Sequence, residues 1–166
     1  MTEWSDFAVV TGGAAAGLMG LLFVAVTLRI DAIARARDLR SRAAQTLTLF
    51  AVALVASILV TVPGQPKWLL GAEVVGLAVL GGAAMLALNR RAQRVPRADP
   101  IARILDRVGP NGSTILLVGL AGLLTASGLT WGIYLLLPAQ LAALIGGVVS
   151  AWVFLTSIPS SDSSDA

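Results

Sequence analysis

Hydrophobic residues along this chain gather in long unbroken blocks, not in the spaced stripes of helices that lie on a water-soluble core. Phe7 to Leu28 runs for 22 residues without a charge, between Asp6 and Arg29. Ala43 to Val62 runs for 20 and ends at Pro63-Gly64-Gln65-Pro66, where two prolines and a glycine supply turn chemistry. Trp68 to Leu88 is interrupted only by Glu73 and gives way to Asn89-Arg90-Arg91. A hydrocarbon layer of roughly 30 Å takes about 20 apolar residues in helical form, so each block is predicted to span a membrane. The short turn at 63–66 makes the second and third a helical hairpin.

The rest of the chain needs a break that the charges do not mark. From Val108 to Ser161 no charge occurs for 54 residues, about 81 Å as one helix and far more than one crossing uses. The run is expected to fold back at Leu137-Pro138-Ala139-Gln140, where a proline without a donor and a polar neighbour suit an interface. The predicted spans are therefore about 7–28, 43–62, 68–88, 114–137 and 139–158, in one transmembrane domain over 1–158. Arg-rich loops occupy 29–42 and 89–113. The tail 159–166 has nothing to bury and is expected to be disordered. The predicted fold is all-α, a polytopic membrane helix bundle of five transmembrane helices; a four-span chain with a re-entrant last segment is the alternative. Within the second loop, Asp99 as N-cap, Pro100, then Ile101, Ile104, Leu105 and Val108 at helical spacing predict a short amphipathic helix ending at Gly109-Pro110. It is read either as lying in the headgroup plane or as an elbow packed on the ends of the spans.

Composition agrees and removes several function classes. Hydrophobic residues are 57% of the 166 and charged residues 13%, against roughly 45–50% and about 25% in soluble domains. There is no Cys and no His, so thiolate and imidazole chemistry and the usual zinc and haem ligands are absent. No catalytic constellation remains, and neither an enzyme nor a cofactor or metal is expected. The net charge of +3 does not point to nucleic acid, which would need a basic face on a soluble scaffold. The segment Met1 to Phe7 has two acids and no basic residue; without a positive n-region, the first block is expected to be retained as a span.

Charge placement predicts orientation. Arg29, Arg35, Arg37, Arg40 and Arg42 lie between the first two spans; Arg90, Arg91, Arg94, Arg97, Arg103 and Arg107 lie between the third and fourth. Only Lys67 falls on the other side. The positive-inside rule makes the Arg-rich face cytoplasmic, with the N-terminus outside and the C-terminus in the cytoplasm. Eleven Arg against one Lys, with abundant Ala, Gly and Val, is what a GC-rich bacterial genome tends to encode, so the membrane expected is a bacterial plasma membrane. Trp4, Trp68, Trp131 and Tyr134 then fall at the outer boundary, and Trp152 towards the inner one. Arg35, Arg37, Arg40, Arg42, Arg90, Arg91 and Arg94 are expected to contact anionic lipid headgroups on the cytoplasmic side.

Glu73 is the one ionisable side chain inside a predicted span, and such carboxylates are costly enough to be candidate functional groups. Reflecting the third span through the turn sets Glu73 level with Ala56 and Ser57, which predicts a polar cluster of Glu73, Ser57, Thr61 and Gln65. It is read either as a proton or cation site or as a hydrogen-bonded clamp between two spans. Thr46, Phe50, Ala53, Ser57 and Thr61 recur at helical spacing, which gives the second span a small and polar face suited to helix packing or to a pore lining. Gly13, Gly17, Gly20, Gly76, Gly119 and Gly122 stand in small-xxx-small patterns and are expected to let helices approach closely. The glycines at 12–20 follow no strand, so a nucleotide loop is not the reading.

The stretches Gly17-Leu-Met-Gly-Leu-Leu-Phe-Val-Ala-Val-Thr27, Arg42-Ala-Ala-Gln-Thr46 and Val62-Pro-Gly-Gln65 resemble those of small bacterial multi-span membrane proteins, some of which carry the label modulator of FtsH protease. The resemblance covers roughly the first three spans. It implies the five-span plan and no site residues. Two functions are carried forward: a non-enzymatic regulatory or scaffolding protein that works through helix faces and Arg-rich loops, and a small homo-oligomeric channel or transporter that uses Glu73 and the span-two hydroxyls. The partners expected are the lipid bilayer and a second copy or another membrane protein.

Overall fold

A computed structural model describes residues 2–28, 30, 37–92, 110–129 and 131–156. Among the described residues six helices follow in order: α1 Thr2–Leu28, α2 Arg37–Thr61, α3 Lys67–Ala92, α4 Pro110–Ala126, the single turn α5 Trp131–Tyr134, and α6 Leu136–Thr156. No strand occurs among the described residues. Among the described residues four apolar stretches are long enough to cross a membrane: Trp4–Leu28, Arg40–Thr61, Lys67–Arg90 and Trp131–Trp152. The fifth, Gly112–Ala126, is shorter; α4 as a whole, at 17 residues, is about 25 Å long against a hydrocarbon layer of roughly 30 Å.

The distribution of side chains is that of a protein solvated by lipid. Half of the buried apolar residues are alanines, among them Ala15, Ala53, Ala121, Ala139 and Ala143. Large apolar side chains are exposed on α1, α3, α4 and α6, as Val10, Leu21, Leu80, Leu116, Ile145 and Trp152 show. Water would drive the opposite arrangement; in a bilayer, helices associate by close backbone approach, which small residues permit. Helix α2 lies in the middle, packed on α1, α3 and α6, while α4 packs on α3 and α6. Leu49 and Phe50 of α2 and Leu70 and Val74 of α3 are the large apolar side chains most completely enclosed.

The hairpin between α2 and α3 follows the prediction. Gly64 has a φ of 72° after Pro63, the pattern of a type II turn. The carbonyl of Pro66 then accepts from the amides of Leu69 and Leu70 and starts α3.

The break in the last uncharged run is not at Pro138. Helix α4 stops at Ala126: the amide of Gly128 donates to the Thr125 carbonyl, that of Leu129 donates to the Leu124 carbonyl, and Gly128 has a φ of 85°. These are the two bonds and the left-handed glycine of a Schellman stop. Pro138 lies inside the first turn of α6, where the first intrahelical bond runs from the Ala139 amide to the Leu135 carbonyl. An N–H at position 138 would have no helical acceptor, so proline costs nothing there. The expected spans 114–137 and 139–158 are thus corrected to helices over 110–126 and 136–156. The other helices also overrun their predicted limits. α1 begins at Thr2; α2 takes in Arg37, Arg40 and Arg42 from the expected loop 29–42; α3 carries Arg90 and Arg91 from the expected loop 89–113. Charge ends the apolar run but does not end a helix, because Arg is a good helix former. Pro110 is the first residue of α4. The amphipathic helix expected over 99–108 and the tail 159–166 lie outside the described residues.

Candidate functional site

The predicted polar cluster separates into two groups. At the hairpin, the Gln65 Nε2 donates to Glu73 Oε2 across the first turn and a half of α3, and Glu73 is half-buried. The oxygen of that amide, Gln65 Oε1, is buried without a hydrogen-bond partner. Thr61 stays out of the group: it is exposed, and its hydroxyl donates to the Ile58 carbonyl of its own helix at 2.7 Å.

Ser57 belongs to the second group, deep between α1, α2 and α6. Its Oγ donates to the Ala53 carbonyl at 2.9 Å and lies 3.0 Å from Thr11 Oγ1 of α1. Gln140 of α6 reaches in from the third side, its Nε2 donating to the Ala53 carbonyl at 3.1 Å and to Ser57 Oγ at 3.3 Å. All three residues are at most 5% exposed. Gly12 permits the approach of α1, since a Cβ there would stand 3.0 Å from Ser57 Cβ. The group is neutral throughout, so it binds three helices without the cost of burying an ion in hydrocarbon. Gln140 Oε1 has no donor.

Thr11 and Gln140 are members that sequence reasoning missed. The signal was present: Gln140 is the one amide between Gly112 and Ser161 of the uncharged run, and Thr11 precedes a pair of glycines. Gln140 was assigned to an interfacial turn because Pro138 was assigned to the break. Once Pro138 is inside the first helical turn, Gln140 falls one turn further in.

The glycines divide in the same way. Gly122 and Gly71 bring α4 and α3 to backbone contact: a Cβ on Gly71 would stand 2.2 Å from the Ala126 amide nitrogen, and one on Gly122 would stand 2.8 Å from that of Val75. Gly119 faces Ala78 at 3.4 Å. Gly13, Gly17, Gly20 and Gly76, expected to pack, have open space where a Cβ would be. Within one chain they are packing residues for nothing, and the glycines absent from the prediction where a Cβ would come within 3.0 Å of a neighbour are Gly12, Gly71, Gly81, Gly132 and Gly147.

At the Arg-rich end, the Ser41 Oγ donates to the Leu88 carbonyl at 2.9 Å and ties the start of α2 to the end of α3. Arg40, Arg42 and Arg90 are exposed there. Arg37 and Arg91 sit on the same helix ends, while Arg35 and Arg94 lie outside the described residues. At the opposite end Trp4 meets Tyr134 edge-on, ring centroids 4.9 Å apart, and Tyr134 also contacts Trp131. Residues from the two ends of the sequence thus form one aromatic group beside the hairpin turn. No family model, curated protein or solved structure matches the chain.

Proposed function

We propose that the chain is a five-crossing protein of a bacterial plasma membrane, N-terminus outside and Arg-rich ends in the cytoplasm, that acts without catalysis by holding a membrane partner against its helix faces. The observation that carries this reading is how the small and polar residues are used. The buried hydroxyls and amides bind the chain's own helices together, while the glycine stripe Gly13, Gly17 and Gly20 of α1 faces outward. In lipid such a stripe is where a second backbone gains close contact. The short α4 is the fifth crossing; its length asks for local thinning or for flanking residues that reach the interface. The cytoplasmic Arg side chains add about 1 kcal/mol each of attraction to anionic headgroups. The resemblance to proteins labelled as modulators of a membrane protease is in keeping with this role.

The test is photo-crosslinking in intact membranes, with the photoreactive residue placed at Gly17 and, for comparison, at Ile145 on the outer face of α6. A discrete protein adduct at Gly17 and only lipid adducts at Ile145 are expected. Lipid adducts alone at both positions contradict the reading. Transport is the second reading, and Glu73 with its Gln65 partner is the observation in its favour. It predicts that vesicles containing the protein pass protons or cations, and that Glu73→Gln abolishes the flux.

A further inference from the structure

A cleft of about 190 Å³ opens at the hairpin end of the bundle, lined by Trp4, Lys67, Leu70, Thr125, Leu129, Ile133 and Tyr134. Four helices contribute to it, so it is a feature of the packed bundle and not of one surface loop. Its chemistry is one-sided. Lys67 supplies an ammonium, Trp4 an indole N–H and Tyr134 a phenol O–H, and none of the three makes a hydrogen bond or ion pair among the described residues. The one other polar side chain, Thr125, already donates to the Ala121 carbonyl at 2.7 Å. Asp6 of α1 is exposed and does not line the cleft. Leu70, Leu129 and Ile133 supply an apolar remainder. Three unused donors, one of them charged, beside hydrocarbon-like walls match a ligand with an anionic acceptor head and an acyl chain.

We infer that this cleft binds the phosphate headgroup of an anionic phospholipid, with the phosphate on Lys67, Tyr134 and Trp4 and the first part of an acyl chain against Leu70, Leu129 and Ile133. The site is at the end of the molecule opposite the Arg clusters. It is separate from their diffuse attraction to headgroups, because it has walls and a defined donor set. It requires only that the chain sits in a membrane and does not depend on the partner-holding role.

Trp4 is itself the reporter. In the full chain with Trp68→Phe, Trp131→Phe and Trp152→Phe, Trp4 is the sole tryptophan, and its emission is followed in phosphatidylcholine vesicles. These contain a minor fraction of bromine-labelled phosphatidylglycerol or, at the same fraction, bromine-labelled phosphatidylcholine. The brominated anionic lipid is expected to occupy the cleft about fivefold more favourably, the factor for one cation near a lipid surface, and so to quench Trp4 more strongly. Lys67→Gln is expected to bring the two lipids level. Tyr134→Phe, which keeps the ring, should weaken quenching by both lipids alike, since both carry the phosphate to which the phenol would donate, and added inorganic phosphate should leave the quenching unchanged. Equal quenching by the two lipids, or a preference that survives Lys67→Gln, overturns the proposal. Reversal by inorganic phosphate makes the site one for a free anion and overturns the lipid assignment. Failure of either lipid to quench Trp4 would contradict the membrane reading itself, which separates the two outcomes.

Discussion

Gly71 and Gly122 hold α3 and α4 at backbone distance, and a methyl group at Gly71 meets main-chain atoms of Ala126 and Gly122, not a side chain that could rotate away. Gly71→Ala therefore forces the two helices apart and is expected to cost about 1–3 kcal/mol, the usual range for overpacking. Gly17→Ala, where a Cβ has open space, should stay within about 0.5 kcal/mol. Thermal unfolding in mild detergent, followed by helical circular dichroism, distinguishes the two. The Thr11, Ser57 and Gln140 group offers a second residue-scale test. Ser57→Ala and Gln140→Leu remove opposite sides of one hydrogen bond, and a double-mutant cycle should return a coupling of about 0.6 kcal/mol, typical of side-chain bonds between membrane helices. No coupling would mean that the Gln140–Ser57 bond adds nothing to the hold of α6 on α2. Glu73 was legible in the sequence because a lone carboxylate in an apolar run stands out, and Gln65 because it sits in the adjoining turn. The placement of Ser57 was not, since its partners lie 46 and 83 residues away and periodicity on one helix does not say which neighbour it faces.

At the scale of elements, the stop at Gly128 decides how the last third of the chain is divided. Ser127-Gly128 after an apolar run is a helix stop of ordinary kind, yet Pro138 is the louder signal and drew the predicted break ten residues too far. Proline marks an end only where its missing N–H would be needed, and in a first turn it is not. Gly128→Ala must hold a φ of 85° with a Cβ and is expected to cost about 1 kcal/mol or more. Pro138→Ala, by contrast, removes no hydrogen bond and should leave the unfolding midpoint close to that of the parent. A larger loss from Pro138→Ala than from Gly128→Ala would place the break where the sequence alone suggested. The first three helices were legible because their ends coincide with charges or with the Pro63-Gly64 turn. Their overrun into the Arg segments was not, because hydropathy measures the hydrocarbon layer and helices continue past it.

For the molecule as a whole, the central claim is a bundle that crosses a bilayer with its Arg-bearing ends on one side and the aromatic end on the other. The structure brings Trp4, Trp131 and Tyr134 together beside the α2–α3 turn, and it joins the other ends of α2 and α3 through Ser41. Both are what the charge and aromatic pattern required of a single bundle. The chain has no cysteine, so single-cysteine variants report their side of the membrane without background. The most direct measurement is labelling of Gly64→Cys, Ser127→Cys, Ala98→Cys and Ser161→Cys in intact cells with a membrane-impermeant thiol reagent. Labelling at 64 and 127, with 98 and 161 protected until the membrane is opened, is the predicted result; labelling of 127 and 161 from the same side would show that α6 does not cross and would contradict the account.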